Sequence, residues 1–411
     1  MSDIKKISAD YVFPVSSPPI KEGVVEMDLN GKILEVRERG AGEENLEIFS
    51  GVICPGFINT HCHLELSYLK GVIPEHTGMA GFIKNLLGAR AAFSLEQRRE
   101  AIQAAEKEMI KNGIVAVGDI SNDDTTFEQK GKGNLKYHTF FELFDLDPSK
   151  AIEVFNKGVQ LQEKFKMHNP GQTSSIVPHA PYTVSEELFK LIRSTAEANQ
   201  SIISCHNQES RDENLLFQNG SGSLYEFFTR IGLDLGHIPQ TGVTSLQSIV
   251  KNFSTANKTL LVHNTFTNDS DIARAMEYFN SSPANGNKLF PTNKLYWCFC
   301  PQANLYIENC LPVYQQFIDA KAMCTIGTDS LASNHSLSIL TELKTISKAA
   351  PQISLQTLLT WACLNGAQLL GFEKQLGSIE KGKQPGLNLI SKMDLTVEVK
   401  LTSQSEVRSL I

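Results

Sequence analysis

No stretch of this 411-residue chain approaches the roughly 20 consecutive apolar residues that a membrane-spanning helix needs, so no helical membrane anchor is expected. Residues 1–17 carry a lysine pair but no apolar core, and no secretory signal peptide is expected either. Charge of one sign is also lacking. The 38 basic and 45 acidic side chains are interspersed and sum to −7, which argues against a nucleic-acid-binding surface. The eight cysteines follow no disulfide framework. Cys54, Cys205, Cys298, Cys300 and Cys324 lie in apolar, strand-like runs, as buried free thiols of a reducing compartment do, and Cys298-x-Cys300 is too closely spaced for a zinc knuckle. The cytoplasm is the expected location. Short-period repeats and low-complexity segments are missing as well.

What is present, 41% hydrophobic and 20% charged residues, is the composition of an ordinary globular protein. From residue 51 onward short apolar runs alternate with helix-like segments, the mark of a parallel α/β sheet. Eight strand candidates stand at 51–59, 114–119, 137–143, 175–179, 201–206, 259–264, 295–300 and 322–328. Between them, Ser94-Leu95-Glu96-Gln97 has the spacing of a capping box and Gly113 that of a helix stop; Ser185 and Ser354 open two further helices. The fold class is therefore α/β, and eight strands with interleaved helices fit a (β/α)8 barrel better than a doubly wound sheet. Residues 1–50 instead hold strand-like pieces around the turn Asn30-Gly31, and residues 373–411 are similar, punctuated by Gly377, Gly382 and Gly386. The expected organisation is a small β-sandwich domain formed by both chain ends (1–50 and 373–411) beside a barrel over 51–372. The polar segments 210–258 and 281–294 read as long loops.

The chemistry-bearing residues cluster at the ends of these strands. His61 and His63 follow the first, and the i, i+2 spacing of a strand lets both imidazoles reach one metal ion. His179 ends the fourth and His206 the fifth, with Glu209 just beyond. His263 ends the sixth, and Asp329 follows the eighth in Gly327-Thr328-Asp329-Ser330. Barrel active sites form on this face. Imidazoles with one carboxylate suit Zn2+ or Fe2+ with a position left for water, which the metal acidifies, and Glu209 is placed to move protons. Glu213 reads as a solvated loop carboxylate. His76, His138, His168 and His237 read as surface or structural residues.

Pro55-Gly56-Phe57-Ile58-Asn59-Thr60-His61-Cys62-His63, His206-x-x-Glu209, His263 after a strand, Gly327-Thr328-Asp329-Ser330 with Ser333-Asn334, and Leu376-Gly377-Ser378-Ile379-Glu380-Lys381-Gly382-Lys383 together resemble the amidohydrolase superfamily over nearly the whole chain. Within it they resemble the aminohydrolases of nitrogen heterocycles: S-adenosylhomocysteine/methylthioadenosine, aminofutalosine and guanine deaminases, and chlorotriazine hydrolases. The resemblance implies one Zn2+ or Fe2+ per chain held by His61, His63, His206 and Asp329. It implies that Glu209 shuttles protons, that His263 orients the attacking water, that Asp329 also accepts its proton, and that His179 contacts substrate. Glu65 and Asn304 are candidates either to contact substrate or to brace the metal ligands, and His335, within reach of the Asp329 loop, is a candidate either to support it or to lie at the surface. The implied reaction is hydrolytic deamination of an aminopurine nucleoside-like substrate with release of ammonia. The alternative is hydrolysis of another C–N or C–Cl bond, as in guanine or cytosine deaminases, cyclic amidases or chlorotriazine hydrolases. The implied partner is a small heterocycle, and a homodimer is a family expectation. The segment His63-Leu64-Glu65-Leu66-Ser67 leans toward the aminofutalosine type.

Overall fold

The computed structural model describes residues 4–281 and 294–411, so all but the ends of the expected loop 281–294 lie outside the described residues. Both chain ends meet in one hydrogen-bonded sheet. Strands β1 (Lys5–Val12), β2 (Ile20–Lys21), β3 (Val24–Met27), β4 (Ile33–Arg37) and β5 (Glu47–Pro55) come from the N-terminal side. Its order is β15-β14-β5-β1-β3-β4, with β2 beside β1, where β14 is Leu387–Ser391 and β15 is Glu406–Ser409. The β3–β4 pair is antiparallel around Asn30-Gly31, as the turn signal requires.

Eight further strands form two parallel four-stranded sheets. The first holds β6 (Phe57–Cys62), β7 (Ile114–Ser121), β8 (Lys136–Leu143) and β9 (Thr173–Pro178) in that order. The second holds β10 (Ile203–Asn207), β11 (Thr259–His263), β12 (Leu295–Phe299) and β13 (Met323–Ile326). Backbone bonds link both pairs of edges: His206 N donates to His179 O at 2.9 Å, and Thr328 N to His61 O at 3.0 Å. Side chains of β6 add to the second link. Asn59 Nδ2 donates to Thr328 Oγ1 at 2.8 Å, and Thr60 Oγ1 donates to the Ile326 carbonyl at 3.0 Å. Helices separate the strands in sequence, so strands covered on both faces read as near-continuous apolar runs, such as Leu260-Leu261-Val262 in β11.

Two sequence expectations need correction. The candidate strand 51–59 is divided between β5 of the terminal sheet and β6 of the parallel sheet. The chain turns at Gly56, where an added Cβ would lie 2.8 Å from the Pro385 carbonyl oxygen and closer still to Val115. The segment 210–258 is not one long loop but carries helices Arg211–Asn219, Ser223–Arg230 and Ser245–Ile249. They bury residues such as Leu216, Phe217, Leu224, Phe228 and Leu246 within a polar segment, so short amphipathic helices passed for polar loop. The helix Leu95–Lys111 has the expected reciprocal capping box between Ser94 and Gln97. Among the described residues no helix is long and apolar enough to cross a membrane.

Candidate metal and catalytic centre

His61 stands at the end of β6 and His63 one residue beyond the strand, and their rings meet edge to face with centroids 4.9 Å apart. His63 Nε2 lies 3.2 Å from His61 Nε2 and 3.3 Å from His206 Nε2, while Asp329 Oδ1 lies 3.5 Å from each Nε2 of the strand pair. Four donors around a tetrahedral ion at Zn–N distances of about 2.0–2.1 Å would stand about 3.3–3.4 Å apart. The donor types suit a small divalent cation, and these four distances lie near that spacing. All four side chains are buried.

The partners of the outer nitrogens set the tautomers. His206 Nδ1 donates to the His179 carbonyl at 2.8 Å, which turns the Nε2 lone pair toward the cluster. His263 Nδ1 donates to Asn304 Oδ1 at 2.9 Å, and its Nε2 is left buried without a hydrogen-bond partner, 3.6 Å from Glu209 Oε1. Burial holds His63 and His206 well below the ordinary histidine range and brings His179 and His263 down to about 4, so these rings are neutral near pH 7. Burial, reinforced by the charge of Asp329, pushes Glu209 well above the usual carboxylate range. For Asp329 burial works upward, but its bond with His61 and the nearby His63 and His263 outweigh it and hold the carboxyl below that range. His263 and Asp329 both take left-handed backbone conformations, φ 75° and 57°, which non-glycine residues seldom adopt and which recur where side chains are aimed at a site.

His61, His63, His206, His263, Asp329 and Glu209 thus come together. His179 adjoins them, with its ring centroid 4.8 Å from that of His206 and its Nδ1 bound to Thr183 Oγ1 at 2.7 Å. Asn304 stands behind His263, and its buried Nδ2 has no partner. Glu65 is buried and accepts from Asn122 N at 2.8 Å, while burial raises its carboxyl to about 8. His335 is not part of the cluster; it is exposed and pairs with Glu75 at 3.4 Å.

Two acids were missed. Glu142, at the end of β8, lies with Oε1 3.4 Å from His206 Nδ1, and burial raises it to about 7. A lone carboxylate in the run Phe140-Phe141-Glu142-Leu143 was the available signal. Glu213 is fully buried rather than solvated, because its carboxylate accepts from the backbone N–H groups of Gln208 and Glu209.

A model of the amidohydrolase family matches residues 52–410. A 5-methylthioadenosine/S-adenosylhomocysteine deaminase of Saccharophagus degradans is 26% identical over 401 residues, covering 92% of this chain and 81% of that protein. The crystal structure of Helicobacter pylori aminofutalosine deaminase in complex with methylthio-coformycin superposes with a TM-score of 0.77 at 24% identity, covering 94% of this chain and 92% of that one. An adenosine deaminase from Xanthomonas campestris with bound zinc gives a TM-score of 0.68 at 23% identity, covering 95% and 85%.

Proposed function

The chain belongs to the amidohydrolase family, and on that premise we propose that it is a divalent-metal aminohydrolase that releases ammonia from an adenine-containing, nucleoside-like substrate. The observation that carries this reading is the convergence of three imidazole nitrogens and one carboxylate oxygen around His63, with neighbouring donors 3.2–3.5 Å apart and Glu209 and His263 beside them. Relatives named for methylthioadenosine, S-adenosylhomocysteine and adenosine support the substrate class, and the aminofutalosine deaminase likeness adds that compound to it.

In this reading His61, His63, His206 and Asp329 hold one Zn2+ or Fe2+. The metal, when bound, makes water acidic enough to supply hydroxide near pH 7. His263 Nε2 accepts a hydrogen bond from the attacking water and orients it. Asp329 takes the water's proton. Glu209 delivers a proton to the ring nitrogen, Asp329 passes the proton it took to the departing amine, and the proton of the new hydroxyl returns to Glu209 as the C–N bond breaks, leaving a C=O group and ammonia. His179, whose Nδ1 is bound to Thr183, presents Nε2 to substrate, with Glu65 and Asn304 as further contacts. We read the eight parallel strands as a (β/α)8 barrel within 51–372 whose first strand starts at Phe57, and the sheet of both chain ends (from 1–50 and 373–411, with β5 running on to Pro55) as part of a small β-sandwich domain beside it. A homodimer in the cytoplasm completes the proposal.

The test is ammonia release, coupled to glutamate dehydrogenase, over adenosine, S-adenosylhomocysteine, methylthioadenosine, aminofutalosine, guanine and cytosine. Turnover of an adenine-containing compound is expected. Silence across the panel by protein that carries stoichiometric metal would overturn the reading.

A further inference from the structure

We propose that Glu213 is a positioning residue for Glu209, clamping the two consecutive backbone N–H groups that lead into the proton-shuttling side chain. Its role rests on the function proposed above; the clamp itself does not. The Glu209 carboxyl accepts no hydrogen bond among the described residues, and the neutral His263 ring stands off from it, with Nε2 3.6 Å from Oε1. Nothing at its own tip therefore fixes it, and its position depends on the backbone beneath. That backbone is unusual: Gln208 takes φ 46°, in the left-handed region.

Glu213 holds this turn from below. Its Oε1 accepts from Gln208 N at 2.9 Å and from Ser245 Oγ at 2.6 Å, and its Oε2 accepts from Glu209 N at 3.1 Å. The spacing Ser210-x-x-Glu213 is that of a capping box, in which the acid would return to the Ser210 N–H. Only half of the box forms. Ser210 Oγ accepts from Glu213 N at 3.1 Å, while the carboxylate reaches past Ser210 to the two preceding amides. A residue needed only to start the helix would stop at Ser210. The Gln208 side chain is tied separately, donating to Asp271 Oδ2 at 2.8 Å and accepting from Thr267 Oγ1 at 2.7 Å. The clamp therefore acts on the peptide rather than on that side chain. Misplacing a reacting group by about 1 Å costs on the order of 100-fold in rate.

The test uses Glu213→Gln in the full metal-loaded chain. Glutamine keeps one acceptor but sets an amide NH2 against a backbone N–H. Hydrogen–deuterium exchange of the segment 204–212 should quicken in Glu213→Gln, and less so in Ser245→Ala, while the β11 segment is unchanged. On a compound that the wild type deaminates, kcat should fall about 10- to 100-fold with KM within about threefold and the metal retained. In a Glu209→Gln background, Glu213→Gln should lower kcat no further. Unchanged exchange at 204–212 removes the clamp, and an equal kcat loss with or without Glu209 makes Glu213 merely structural. Should Glu213→Gln not fold, Ser245→Ala serves in the same exchange measurement, where wild-type rates count against the clamp. A wild type silent toward every compound sinks the deaminase reading, and the exchange result still decides the clamp.

Discussion

The strongest stability prediction comes from a pair behind the proposed metal ligands. Lys130 and Asp119 are fully buried and meet at 2.6 Å. The Lys130 ammonium also donates to Ser121 Oγ at 2.9 Å and to Thr139 Oγ1 at 3.1 Å. Asp119 Oδ1 accepts at 2.8 Å from the N–H of Leu64, the residue immediately after His63. Lys130→Met leaves a buried carboxylate with that one hydrogen bond, and removing one partner of a buried pair costs about 3–5 kcal/mol. The double variant Asp119→Asn/Lys130→Met carries no charge and keeps an acceptor for Leu64, so most of the loss should return. Urea unfolding of the two single variants and the double variant measures this. Asp119→Ala, which also frees the Leu64 N–H, should weaken zinc binding about 10- to 100-fold, as loss of support behind a ligand commonly does; competition with a chromophoric chelator reads that affinity. A Lys130→Met cost below about 1 kcal/mol, or a double-variant cost equal to the sum of the singles, would refute the argument.

The strand ends were legible because parallel strands covered on both faces must be almost wholly apolar, which makes a terminal histidine or aspartate conspicuous. His61, His63, His206, His263 and Asp329 stood out for that reason, and the structure brings them together. What could not be read was which polar residues are buried behind them. Asn59 and Thr60 sit in the opening motif, yet their hydroxyl and carbonyl partners Thr328 and Ile326 lie at the far end of the chain, so their stapling role follows only from the closure of the strands. Glu213 and a solvated glutamate look alike in sequence, because what distinguishes them is the fold of the Gln208–Glu209 turn and the approach of Ser245 on another helix. The three helices within 210–258 were hidden for a related reason: each buries only a few side chains, too short a pattern for helical periodicity to rise above a polar composition.

Glu209→Gln should retain the metal and the fold while kcat falls about 100- to 10,000-fold, the usual worth of a positioned proton carrier; metal analysis with the coupled ammonia assay checks it. His206→Ala removes one of four donors and should abolish stoichiometric metal, and chelation of the wild type should lower its melting temperature, since an ion that binds only the folded chain stabilises it. The last prediction concerns acid. His138 is buried on β8, with both ring nitrogens bonded, to Thr173 Oγ1 and Ser175 Oγ at 2.8 Å each, and burial brings its pKa down to about 3. Unfolded, the ring takes up a proton below about 6.5. Between these two values the unfolded chain binds the extra proton, so stability falls as the pH falls, by at most about 1.4 kcal/mol per pH unit from this residue. His138→Gln, which cannot titrate, should lose less stability than the wild type between pH 6.5 and pH 4.5, by about 2–3 kcal/mol in urea unfolding of metal-free protein. Parallel acid limbs for the two proteins would mean that the ring is not held neutral in the fold.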